Sequence, residues 1–157
     1  MEPSLEKCLE YKNTDVIYAF CNNLKIDQEE ASIIFQDMIR FLWASTQDAE
    51  GLVAEIDKPI LIIDEMWHTF ILFTKQYQEF CFNYLGVFFH HIPTVKNDLH
   101  SDQAQPLSAE AKAVFLSRKR SRYAKIYMLL GEDAFKRWFF YYPDKYSREN
   151  ILSLRRK

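Results

Sequence analysis

The chain has 157 residues, a length that fills one ordinary domain around a single core. Hydrophobic residues make up 48% and aromatic residues 16%, with only 3 Gly and 5 Pro, which excludes a disordered or loop-dominated chain and leaves long helices as the expected filling. The net charge of -2 conceals an asymmetry, because residues 1–70 carry 14 acids and 5 bases while residues 71–157 carry 8 acids and 15 bases.

Cys8, Cys21 and Cys81 form no CxxC pair and no cluster, so a disulfide framework and a zinc knuckle are both disfavoured and reduced thiols in a cytoplasmic compartment are expected. Met1 to Glu6 has no basic stretch leading into an apolar one and does not resemble a signal peptide, although delivery elsewhere by a signal-independent route stays open. The longest apolar runs, Pro59–Ile63 and Phe70–Phe73, are too short for a membrane span.

In chain order, Leu5, Leu9, Val16, Ile17, Phe20 and Cys21 predict two short helices before Asn22-Asn23, with Thr14 as cap of the second. Asp27 followed by Glu30 reads as a capping box for a helix over 27–45 that presents Ala31, Ile34, Phe35, Met38, Phe41 and Leu42 on one face. Ser45–Gly51 reads as an exposed connection, and Pro59 suits the first turn of the next helix. Thr74 is a plausible cap where that helix breaks or kinks, Gly86 stops the second half, and Val87–Pro93 is a buried turn or brief extended segment.

Thr94–Leu107 reads as a long surface loop. Ser108 then caps a long helix with Leu116, Tyr123, Tyr127 and Leu130 on its apolar face, ended by Gly131. Phe135, Trp138 and Phe139 mark a short last helix closed before Pro143, and a basic tail follows Tyr146. The expected fold class is all-α, a compact single-domain bundle of about six or seven helices over 1–146 with a tail over 147–157.

The densest polar chemistry lies between Asp64 and His91, a window holding three of the four histidines. Asp64 and His68, spaced i, i+4, share one helix face, which suits a metal pair, a carboxylate orienting a histidine, or a structural hydrogen bond. Tyr77 and Cys81 project the other way on a straight helix and converge with them only if the chain breaks near Thr74. A fold-back would bring His90 or His91 to His68 and offer His, His and Asp, with Cys81 as a further candidate, to zinc or iron; otherwise these histidines staple the turn onto the helix. Cys81 as a nucleophile is disfavoured by the apolar surroundings of Phe80, Phe82 and Tyr84.

A second feature is Arg118, Lys119, Arg120 and Arg122 with Tyr123, a basic stripe able to meet an acidic protein surface or phosphates. The alternative is a solvated helix face that the acidic first half partly neutralises, and nucleic acid is disfavoured by the acidic whole and by the lack of a nucleic-acid motif.

Ile63-Asp64, Trp67-His68, Ile71-Leu72, Thr74, Tyr77, Cys81, Gly86 and His90-His91-Ile92-Pro93 resemble the signature of the glycine-rich domain-containing protein-like family, which reads D-x-x-W-H-x-H-I-L-x-T-x-x-Y-x-x-D-C, then F-G and H-H-x-P. The resemblance covers residues 59–93, with a weaker echo over Tyr123–Glu132, and implies that Asp64, Trp67, His68, Thr74, Tyr77, Cys81, His90, His91 and Pro93 form one constellation. Phe70 stands where the family has a second histidine, and Phe73 and Phe80 stand where it has acids, which favours a scaffold or binding surface over catalysis. The expectation is therefore a non-enzymatic protein-interaction domain, without a cofactor, whose aromatic-rich face or basic helix binds another protein or a second copy. The alternative is a metal-binding protein or metal-dependent enzyme using Asp64, His68, His90 or His91.

Overall fold

The computed structural model describes residues 3–92 and 108–156, which fold as an all-α domain without strands. Helices α1 (Leu5–Leu9) and α2 (Thr14–Asn23) come first. The side-chain oxygen of Asn13 accepts the Val16 amide at 3.1 Å, so Asn13 and not Thr14 caps α2. Helix α3 (Gln28–Thr46) is capped as its sequence predicts, with the Asp27 carboxylate accepting the Glu30 amide at 2.8 Å. The reciprocal half of the capping box is not made, because Glu30 accepts from Tyr141, Lys145 and Tyr146 across the fold.

Helix α3 is the hub. Its Ala31, Ile34, Phe35, Met38, Phe41 and Leu42 are all buried, and it packs against α1, α2, α4 and α6. Each large aliphatic or aromatic side chain so buried contributes about 1.5–3 kcal/mol. Ten of the rings are buried in this core, among them Phe20, Phe35, Phe41, Phe70, Phe80, Trp138, Tyr142 and Tyr146.

The connection after α3 is less exposed than its polarity suggests, because the buried Asp48 carboxylate accepts the Val53 amide at 2.7 Å and Lys125 Nζ at 2.6 Å. Pro59 sits in a 3-10 turn (Lys58–Ile60) that leads into α4 (Leu61–Leu72). The break falls at Phe73 (φ -85°, ψ 61°), and α5 (Thr74–Phe80) restarts without a side-chain cap; the exposed Thr74 is its first residue. A wide helical turn (Cys81–Leu85) ends at Gly86, whose φ of 73° is the left-handed geometry that glycine adopts without a Cβ penalty. Pro93 and the loop expected over Thr94–Leu107 lie outside the described residues.

Helix α6 (Ala109–Lys136) is capped by Ser108 and kinks at Gly131 (φ 81°, ψ 179°), where its sequence predicts an end. Its buried face is Arg122 and Ile126 with Leu129 and Leu130 partly covered; Leu116 and Tyr127, expected inside, are exposed. Two neighbouring registers carry apolar residues here, and the acidic loop over 48–57 selects the one that turns Arg122 inward. A wide turn (Arg137–Tyr141) leads into α7 (Tyr142–Lys145) and then α8 (Arg148–Leu154). The stretch after Tyr146 is therefore no free tail: Ile151 is buried, Lys25 N–H donates to Leu154 at 2.8 Å, and Arg156 N–H donates to Asn23 at 3.0 Å.

The buried Asp37 carboxylate ties α3 to the C-terminal elements. It accepts two bonds from Arg137 (2.9 and 2.7 Å), one from Arg40 (3.0 Å) and one from the Tyr142 hydroxyl (2.6 Å). This carboxylate holds Arg137 above its ordinary pKa, and burial, reinforced by Asp37, raises that of Tyr142. Asp37→Ala leaves a buried hydroxyl and a guanidinium without their partner, so urea unfolding is expected to show a loss of about 3–5 kcal/mol.

Acid sensitivity has two identifiable sources. Burial alone raises the Glu30 carboxyl, but bonds from Lys145, Tyr146 and Tyr141 outweigh it and lower it from 4.5. Burial likewise opposes, without overcoming, the lowering of Asp48 from 3.8 by Lys125 and the Val53 and Glu50 amides. Both folded values are depressed, so their stabilisation is complete above the ordinary carboxylate range and is lost as pH falls through the depressed values. Urea midpoints are expected to drop between about pH 5 and pH 2, and less steeply in Lys145→Met, which removes one donor to Glu30.

Candidate functional site

One turn of α4 places Asp64 and His68 on a single face, with His68 Nδ1 3.6 Å from Asp64 Oδ2. The break at Phe73 then turns the chain, and the buried Tyr77 hydroxyl accepts Trp67 Nε1–H at 3.0 Å and donates to the Phe89 carbonyl. That relay lays residues 87–91 back along α4. His91, 27 positions from Asp64 in sequence, arrives with Nε2 at 3.2 Å from Asp64 Oδ1. Its ring lies 4.5 Å from those of both Trp67 and His68, centroid to centroid.

Three of the expected candidates therefore meet: one ligand atom each from Asp64, His68 and His91 lies within 4.8 Å of the others. His90 does not join them. It is exposed and stacks edge-on to Phe88 at 4.8 Å. Cys81 also stays apart, buried in the core, where desolvation raises its thiol pKa against the opposing effects of the Phe89 amide and the Tyr77 hydroxyl. Such a thiol stays protonated, which makes it a poor nucleophile and a poor ligand.

Phe70 and Phe80 are fully buried, with ring centroids 5.6 Å apart, and Phe70 also packs on Phe35 and Tyr77. These positions face the core rather than Asp64 and His68. A histidine or acid there would not add to the three-residue cluster, so the phenylalanines remove nothing from it.

The basic stripe on α6 divides. Arg122 is buried, with Nη1 donating to Asp57 at 2.7 Å and Nη2 to the Glu55 carbonyl at 2.6 Å, so it offers no surface to a partner. Arg118 Nε donates to Glu55 at 2.7 Å. Tyr123 packs its ring 4.3 Å from that of Phe139 and lies under Lys119. Lys119 and Arg120 are the exposed cations of the stripe without an ion pair among the described residues. The acids that claim the others are Glu55 and Asp57, and the opposite charges of the two halves are the only sequence signal for this pairing. Between α6 and the loop lies a cleft of about 280 Å3 lined by Glu55, Asp57, Pro59, Phe115, Lys119 and Arg122 among others.

Compared with known families, residues 15–112, more than half of the chain, match the UCP032817-like family. The chain belongs to that family. The region shared across the UCP032817-like family contains Asp64, His68 and His91 and stops within the first turn of α6, before Arg118. No curated protein and no solved structure matches the chain. No helix among the described residues is long and apolar enough to cross a membrane.

The divided stripe predicts divided consequences for stability. Arg122→Ala removes two charge-assisted bonds and is expected to cost on the order of 2–3 kcal/mol in urea unfolding. Lys119→Ala and Arg120→Ala are expected to stay within about 0.5 kcal/mol of wild type.

Proposed function

We propose that this chain is a non-enzymatic interaction domain that binds another protein through the outer face of α6 and the adjoining loop over 48–59. The observation that carries this reading is the first three turns of α6. Every residue from 109 to 121 except Ala111 is exposed, and Val114, Phe115 and Leu116 keep 68%, 58% and 52% of their surface in solvent.

A helical stretch draws most of its stability from packing, and consecutive exposed apolar side chains beside cations without an ion pair among the described residues are typical of a contact surface. Leu52 and Val114 line one flank of this helix and Pro59 and Phe115 the other, so a partner helix or loop has apolar ground on both sides. Lys119 and Arg120 favour an acidic partner. The three free cysteines suit a reducing, cytoplasmic setting. The likeness of residues 59–93 to the glycine-rich domain-containing protein-like family is part of the same proposal.

A photo-crosslinking residue at Leu116, in the source cells, is expected to yield one discrete heterologous adduct. That adduct is expected to disappear with Lys119→Glu and Arg120→Glu together while the urea midpoint stays put. Adducts only with the chain itself would replace this reading with self-association, and no specific adduct would contradict it.

A further inference from the structure

We propose that Asp64, His68 and His91 form a binding site for one divalent transition-metal ion of the zinc class. This inference is independent of the interaction surface on α6 and uses none of its residues.

The separations fit coordination. Ligand atoms held about 2.0–2.1 Å from a tetrahedral ion lie roughly 3.3 Å from one another. His91 Nε2 lies 3.2 Å from Asp64 Oδ1 and His68 Nδ1 lies 3.6 Å from Asp64 Oδ2, and one ligand atom from each of the three residues lies within 4.8 Å of the others, so closing on an ion takes side-chain shifts of no more than about 1.5 Å. Hydrogen bonding accounts for only half of the arrangement. His91 to Asp64 has hydrogen-bond length, but His68 at 3.6 Å is too far for one, and yet its ring is held 4.5 Å from the ring of His91. Two imidazoles converging on one carboxylate are accounted for if a cation sits among them.

The supporting geometry is built in. His91 is positioned by the edge of Trp67 and by the Trp67–Tyr77–Phe89 relay behind it, whereas His68, 49% exposed in its side chain, opens the cluster to solvent. An ion therefore has a route in, and three protein ligands leave at least one position for water. Two imidazole nitrogens and one carboxylate favour Zn(II), or next Fe(II), over Mg(II) and Ca(II), which demand oxygen shells.

The test is calorimetric titration of the full, untagged, metal-stripped chain with ZnCl2 and separately with MgCl2. One Zn(II) per chain is expected, with no saturable heat from Mg(II). His68→Ala, at a half-exposed position where folding is not at risk, is expected to weaken binding at least about tenfold, a loss that even the supporting partners of metal ligands produce. His90→Ala is expected to bind as wild type does. Co(II) added in place of zinc is expected to give visible absorption bands that His68→Ala removes. Absence of 1:1 zinc binding, wild-type affinity in His68→Ala, or equal affinity for Mg(II) would each overturn the site.

Discussion

The hydrogen-bond relay from Trp67 through Tyr77 to Phe89 is the constraint on which the arrangement of this molecule's polar chemistry depends. The indole N–H, the phenol and the carbonyl are three polar groups drawn into an apolar interior, and each costs free energy there unless it is paired. The relay pairs all three at once, and only if α4 stops at Phe73, α5 brings Tyr77 alongside Trp67, and the chain beyond Gly86 doubles back. Burial, more than its neighbours, raises the pKa of Tyr77, so the phenol remains a neutral donor. His91 reaches Asp64 as a consequence.

The second organising fact is electrostatic. An acidic first half and a basic second half fold against each other: Glu30 meets Lys145, Asp37 meets Arg137, Asp48 meets Lys125, and Asp57 meets Arg122. The partner of much of the basic charge is thus this chain itself. What stays exposed on α6 is narrower and less charged, the apolar stretch Val114–Leu116 edged by Lys119 and Arg120.

Much of this was legible in the residues. The α3 cap at Asp27, its buried face, the break before Thr74, the stop at Gly86 and the disruption at Gly131 all follow from local chemistry that a single sequence carries. The convergence of Asp64, His68 and His91 was legible as a conditional, because the fold-back it needs depends on a long-range bond to the carbonyl of Phe89, a backbone group with no sequence signature. The register of α6 was not legible: Arg122 turns inward only because Asp57 and the Glu55 carbonyl are there to receive it, and a periodicity argument places an arginine outside. For the same reason Ile151 and the pairing of Leu154 and Arg156 with the end of α2 were hidden within a stretch that reads as a basic tail.

The proposed interaction face and the three-residue cluster occupy different parts of the domain, and the relay supports only the second. The polar cluster therefore requires that the chain beyond Gly86 lies on α4 with His91 against Trp67 and His68. Ring-proton Overhauser contacts in solution test it most directly. Contacts are expected from His91 to both the Trp67 indole and the His68 imidazole in the wild-type protein, weakened in Tyr77→Phe, while the contacts around Phe35 and Phe41 persist. A His91 ring with no contact to either neighbour in the wild type would contradict it.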